Sequence, residues 1–311
     1  MSSSTIDLDD TKSLDSLYTE TINIGGRVYQ QLALDRGLGF TPIDEDERER
    51  LDQQHMILQK AFDQRLIFPP IENPQNILDC GYGSAAWVCE VAERYPQCEV
   101  IGVDISPHMK PDEIPPNLWL QVDDLNEPFT FASNQFDLVH SQLVVTGIKK
   151  DRWRSYIRDC VRVTKPGGWL QFVEWYTNVQ SDNGSMGDDH ALRQLSGLYL
   201  RALDDTRDIR VPMKLGTMMR EAGLVEVDSQ MIQLPANGWP STEREREIGN
   251  MNNVLYKEGL GAQCNYLLHE YLNMDMPEIH VLVAKARQDL DNLALKPYIG
   301  LYVAIGRKPN S

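Results

Sequence analysis

Residues 77–87 read ILDCGYGSAAW. The apolar run at 77–80 predicts a short strand, 81–84 (GYGS) a turn, and the periodicity of 85–94 a helix that Pro96 ends. Strand, glycine turn and helix in that order open a βαβ unit. Gly81 and Gly83 let the backbone turn tightly and approach a ligand with no side chain between. The spacing is GxG followed by Ala85, not the GxGxxG of a dinucleotide site. An acid, Asp79, stands two residues before the first glycine, which suits a ligand bearing an ammonium group.

Outward from this stretch the alternation continues. Strands are expected at 99–103, closed by Asp104; at 117–122, closed by Asp123 and Asp124; and at 136–140. A helix at 153–163 is broken by Pro166-Gly167-Gly168 before a fifth strand at 169–175. Strands alternating with helices at this spacing imply a parallel sheet with ligands along one edge. Asp104, at a strand end, can accept from ribose hydroxyls or merely cap a helix; Asp123 and Asp124 include at least one turn residue. Further helices are expected at 190–205, 212–222, 241–272 and 277–293, and strands at 225–232 and 298–306. The charge run 44–50 (DEDERER) reads as the solvated first turns of a helix ended by Pro69-Pro70. The expected organisation is a flexible tail at 1–16, a helical cover at 17–70, a core at 71–240, a helical insertion at 241–297 forming a lid, and a last strand and tail at 298–311.

The 311 residues carry 46 acids and 30 bases, a net charge of −16. So acidic a surface argues against broad nucleic-acid binding and against an anionic membrane face. The apolar runs are far too short to span a bilayer, and the first twenty residues carry no secretory leader. The five cysteines (80, 89, 98, 160 and 264) are odd in number with no CxxC pair, so no disulfide framework or metal site is expected, and reduced thiols fit a cytoplasmic protein.

The segments NIGGRVY at 23–29, ERLDQQH at 49–55, ILDCGYGSAAW, VIGVDISP at 100–107, PNLWLQVDDLNEP at 116–128, FDLVHS at 136–141 and KPGGW at 165–169 together resemble the class I S-adenosylmethionine (SAM)-dependent methyltransferases, of the fungal group that includes the LaeA-type secondary-metabolism proteins. Within that group the chain looks most like the thiol methyltransferases that act on the reduced dithiol of gliotoxin-like epipolythiodioxopiperazines, through SPHMK at 106–110 and QSDNG at 180–184. The resemblance implies a seven-stranded Rossmann-like α/β sheet with a helical insertion before the last strand. It implies that Gly81 and Gly83 line the SAM methionine with Asp79 nearby, that Asp104 holds the ribose, and that Asp123, with the Asp124 backbone, meets the adenine. His140 and Ser141 are expected near the transferred methyl, with His140 the candidate base, and Arg27 and Tyr29 over the cofactor. The acceptor is expected to be a small metabolite, with a thiol favoured. Oxygen or nitrogen acceptors, or a LaeA-like regulatory role with little turnover, are the alternatives. The group's third glycine is here Ala85, and Gly81→Val is expected to block the site with little loss of fold.

Overall fold

The computed structural model describes residues 14–310; the expected flexible tail lies almost wholly outside them. Seven strands form one sheet: β3 (Asn76–Cys80), β4 (Glu99–Asp104), β5 (Leu118–Val122), β6 (Phe136–Gln142), β7 (Thr164–Gln180), β8 (Val225–Pro235) and β9 (Tyr298–Arg307). Their order is β5-β4-β3-β6-β7-β9-β8, and β9 runs antiparallel to both its neighbours. The order reverses between β3 and β4 on one side and β3 and β6 on the other, which opens a crevice beyond the C-terminal end of β3.

Period-two alternation divides the central strands between two cores. Leu78, Ile101, Val139 and Phe172 pack with Tyr156 and Ile157 of α4 (Trp153–Val163) on one face. Ile77, Val100 and Leu138 pack with Val88 and Val91 of α3 (Ala86–Arg94) on the other. Strands covered on both faces read as continuous apolar runs, which is why they stood out in the sequence.

A helical layer of α5 (Ala191–Leu203), α7 (Glu243–Leu272) and α8 (Met276–Asp291) has its own core, with Leu195, Leu267, Ile279 and Ala286 buried together. Thr242 caps α7 by accepting from the Glu245 N–H, and Asn273 ends it in the left-handed region at φ 52°. No helix among the described residues is long and apolar enough to cross a membrane.

Three expectations are corrected. The segment from residue 17 is not a purely helical cover: β1 (Thr21–Ile24) and β2 (Arg27–Gln30) form a hairpin before α1 (Gln31–Asp35) and α2 (Glu45–Ala61). Gly25 and Gly26 take φ of 59° and 82°, the positive pair that a tight hairpin turn demands. Helix α2 ends at Ala61, well before the prolines, because Asp63 and Gln64 adopt positive φ. The helix ends at Val163 as expected, but the fifth strand does not wait for the Pro-Gly-Gly segment to pass. That segment lies inside β7 as a bulge, where the ladder steps from Phe136–Thr164 to Leu138–Trp169 and Gly167 takes φ 78°.

Candidate active site

The loop after β3 is built around its glycines. Gly81 and Gly83 have φ of 85° and 55°, and the Gly81 and Tyr82 N–H groups both donate to the Val103 carbonyl. Ala85 follows the same left-handed path, at φ 66°, and is fully buried, so alanine keeps the turn at the cost of local strain of about 1–2 kcal/mol. A cavity of about 290 Å³ opens over this loop. Asp79, Gly81, Gly83, Asp104, Asp123 and Asp124 all line one end of it.

Its electrostatics are those of a site short of positive charge. Asp79 is 3% exposed, and among the described residues nothing donates a hydrogen bond to its carboxylate. Burial and then the nearness of Asp104 push its carboxyl well above the usual range. Asp104 is also pushed up by burial, although its oxygens accept from the N–H groups of Gly83 (3.0 Å) and Ser106 (2.9 Å). Asp123 shifts the same way through burial. Asp124 is tied into a turn, accepting from the Asn126 N–H at 2.9 Å. A cationic ligand relieves this crowding of acids, and a carboxylate holding one backbone bond per oxygen keeps lone pairs for two hydroxyls.

These residues fit SAM: the unpartnered Asp79 suits its ammonium group, the glycine path leaves it room, and Asp104 suits its ribose. A Cβ added at Gly81 would lie 2.5 Å from the Val144 Cγ1, so the cradle exists only with glycine. Asp104→Ala should weaken S-adenosylhomocysteine binding about ten- to hundredfold, the equivalent of about 1.5–3 kcal/mol for a hydrogen bond to a charged group. Calorimetry on the folded variant checks this; unchanged affinity would place the ribose elsewhere.

Four expected residues are not part of the cavity wall. His140 is fully buried beneath Trp87, ring centroids 3.7 Å apart, with Nδ1 3.2 Å from Gln171 Nε2. Burial drives its pKa down to about 3, so it is a neutral packing group, which corrects its expected place beside the methyl. Ser141 is fully buried, accepting from the Tyr156 hydroxyl. Arg27 forms a two-pronged pair with Asp44 that pins the hairpin to the start of α2. Tyr29 packs on Tyr266, centroids 5.6 Å apart, while its neighbour Gln30 reaches the cavity with Oε1 unpartnered.

Other wall residues were not foreseen. Helix α2 contributes Glu47, Arg50, Gln54 and His55, spaced three, seven and eight residues from the first. That spacing is one helical face, and a polar set at helical period was the available signal. The run DEDERER is therefore not wholly solvated: Glu47 and Arg50 are 2% and 6% exposed and form a bidentate pair of 2.7 and 2.9 Å. His55 Nε2 is held at 2.9 Å from Glu90 Oε2. Beyond β6 the wall is the loop 143–148, whose Val144 and Val145 N–H groups donate to buried Glu174. At the far end stand Phe40, Trp175, Thr177, Tyr199 and Gln263. Among the described residues there is no cluster able to hold a metal ion.

Residues 77–168 match the model of a methyltransferase domain. The chain is 32% identical over 269 residues to a protein of Emericella nidulans described as the probable methyltransferase tdiE, covering 85% of this chain and 82% of that one. It is 28% identical over 288 residues to the protein-methionine methyltransferase laeA of the same organism, covering 91% and 75%. A solved protein of Anabaena variabilis, described as a methyltransferase from an antibiotic biosynthesis pathway, shares the fold at a TM-score of 0.53 and 12% identity, over 80% of this chain and 96% of its own.

Proposed function

We propose that this chain, which belongs to the LaeA-like class I SAM-dependent methyltransferases, methylates a thiol of a small secondary metabolite inside the cavity over β3. The cofactor supplies an electrophilic methyl group when bound. Asp79, Gly81, Gly83 and Asp104 bind and orient it, and the aromatic end of the cavity holds the acceptor in line and excludes water.

The observation that carries the thiol reading is the character of that acceptor end. His140 is sealed behind Trp87, Glu47 is committed to Arg50, and the Nε2 of His55, the histidine of the cavity wall, is taken up by Glu90. Burial raises the Tyr199 phenol far above neutrality, so it stays protonated. A hydroxyl or ammonium acceptor gains about 10²–10⁴-fold from a base, whereas a thiol of pKa about 8.5 is already partly ionised.

The test is transfer of labelled methyl from SAM to a panel of a dithiol, a phenol, an amine and a methionine peptide. Dithiol labelling is expected, with the rate rising about tenfold between pH 7 and 8.5 as the thiolate fraction grows. Labelling of the phenol or amine instead would overturn it. A second reading, methylation of a protein methionine, is favoured by the likeness to laeA and also needs no base; labelling of the peptide alone would select it.

A further inference from the structure

A second space of about 60 Å³ adjoins the aromatic end of the cavity, and Trp175, Thr177, Tyr199 and Gln263 line both. It lies between β7 and the helical layer, and most of its remaining wall is aliphatic, from residues such as Leu195, Leu260 and Ile299. Two of the polar atoms on that wall stand without partners. The Thr177 and Tyr256 hydroxyls are sealed from solvent and have no hydrogen-bond partner. A buried hydroxyl without a partner is costly, and a ligand acceptor in the void they line would relieve that cost. The Tyr256 ring lies 6.2 Å from that of Trp175, tilted by 40°, and Tyr199 stands on the same wall. The space has room for about four water-sized groups, less than a whole ring, so a ring that enters it reaches back toward the adjoining cavity.

We infer that this chamber is the specificity pocket for the acceptor: it takes a planar ring carrying a carbonyl oxygen, which accepts from the Thr177 and Tyr256 hydroxyls while the ring lies against Trp175, Tyr199 and Tyr256. The assignment rests on the reading of the chain as a small-molecule methyltransferase. It predicts that acceptors share a ring ketone or ring amide whatever the atom methylated.

The test uses the full chain loaded with S-adenosylhomocysteine, with benzamide and toluene as probes followed by ligand-observed NMR. The double variant Thr177→Val/Tyr256→Phe removes only two unpartnered hydroxyls, so a purely structural role predicts equal or higher stability and no change in probe binding. The pocket predicts at least a tenfold loss of benzamide affinity, with toluene and S-adenosylhomocysteine binding unchanged. Leu260→Trp, which fills the space, should remove both probes; if it does not fold, the hydroxyl variants decide alone. Benzamide binding that ignores the hydroxyls, or no benzamide binding to the parent, would overturn the inference as a chamber holding water only. Failure of the acceptor panel with the benzamide pattern intact would leave the pocket standing and sink the methylation reading instead.

Discussion

Gly81→Val should abolish detectable S-adenosylhomocysteine binding and lower the melting temperature. Gly81 sits at φ 85°, and its Cβ would meet the Val144 Cγ1 at 2.5 Å. Left-handed backbone costs a β-branched residue about 1–2 kcal/mol or more, and forced overpacking typically adds about 1–3 kcal/mol. Val144 has little room to yield, because its N–H is held at 2.8 Å by buried Glu174 and its side chain is packed into the core. The strain therefore falls on the glycine loop itself, and about 4 kcal/mol placed there is roughly a thousandfold in affinity. The sequence alone suggested a substitution the fold would barely feel; the contact with Val144 makes it costly to both. Gly83→Ala is the control: its Cβ would meet only the Leu51 Cδ1, at 3.5 Å, so it should weaken binding far less. Calorimetry and thermal melts on both variants decide, and a folded Gly81→Val protein of parent affinity would remove this loop from the cofactor site.

Glu174→Gln should remove the pH dependence of stability that one buried carboxyl imposes. Glu174 is fully buried, and burial lifts its pKa from 4.5 to about 8 against the opposing N–H bonds of Val144 and Val145. A carboxyl with a raised folded-state pKa gives its full stabilisation below pH 4.5, where both states are protonated. From there to about pH 8 the unfolded chain ionises and the folded one does not, so stability falls as pH rises. At about 1.4 kcal/mol per unit, the window amounts to on the order of 3–5 kcal/mol. Glutamine does not titrate, but it turns an amide toward one of the two N–H donors. The variant should therefore be slightly less stable than the parent at pH 4.5 and more stable at pH 8. Denaturant titrations at half-unit steps measure the difference, which cancels the contributions of the other acids. Parallel curves would show that the carboxyl is already ionised in the fold.

The two sites of substitution also separate what was legible from what was not. The sheet, the limits of its strands other than β7 to within a few residues, and the acids at the ends of β3, β4 and β5 could be read in advance, because each follows from local geometry. Apolar runs mark strands buried on both faces, and glycine marks positive φ. The hairpin β1–β2 was equally local but was missed, although Gly25 and Gly26 lie between alternating residues.

By itself, then, the sequence determined the sheet and the acidic, glycine-lined end of the cavity. The aromatic end was decided by tertiary structure alone. Its wall joins Phe40, Arg50, Trp175, Tyr199 and Gln263, from segments more than two hundred residues apart, and no spacing rule links them. The same holds for His140. It and Gln142 are two apart on β6 and share a face, yet Gln142 lines the cavity and His140 does not. The difference is Trp87 of α3, which lies over one position and stops short of the next. A strand dictates which way a side chain points, but what covers it depends on a helix placed by packing.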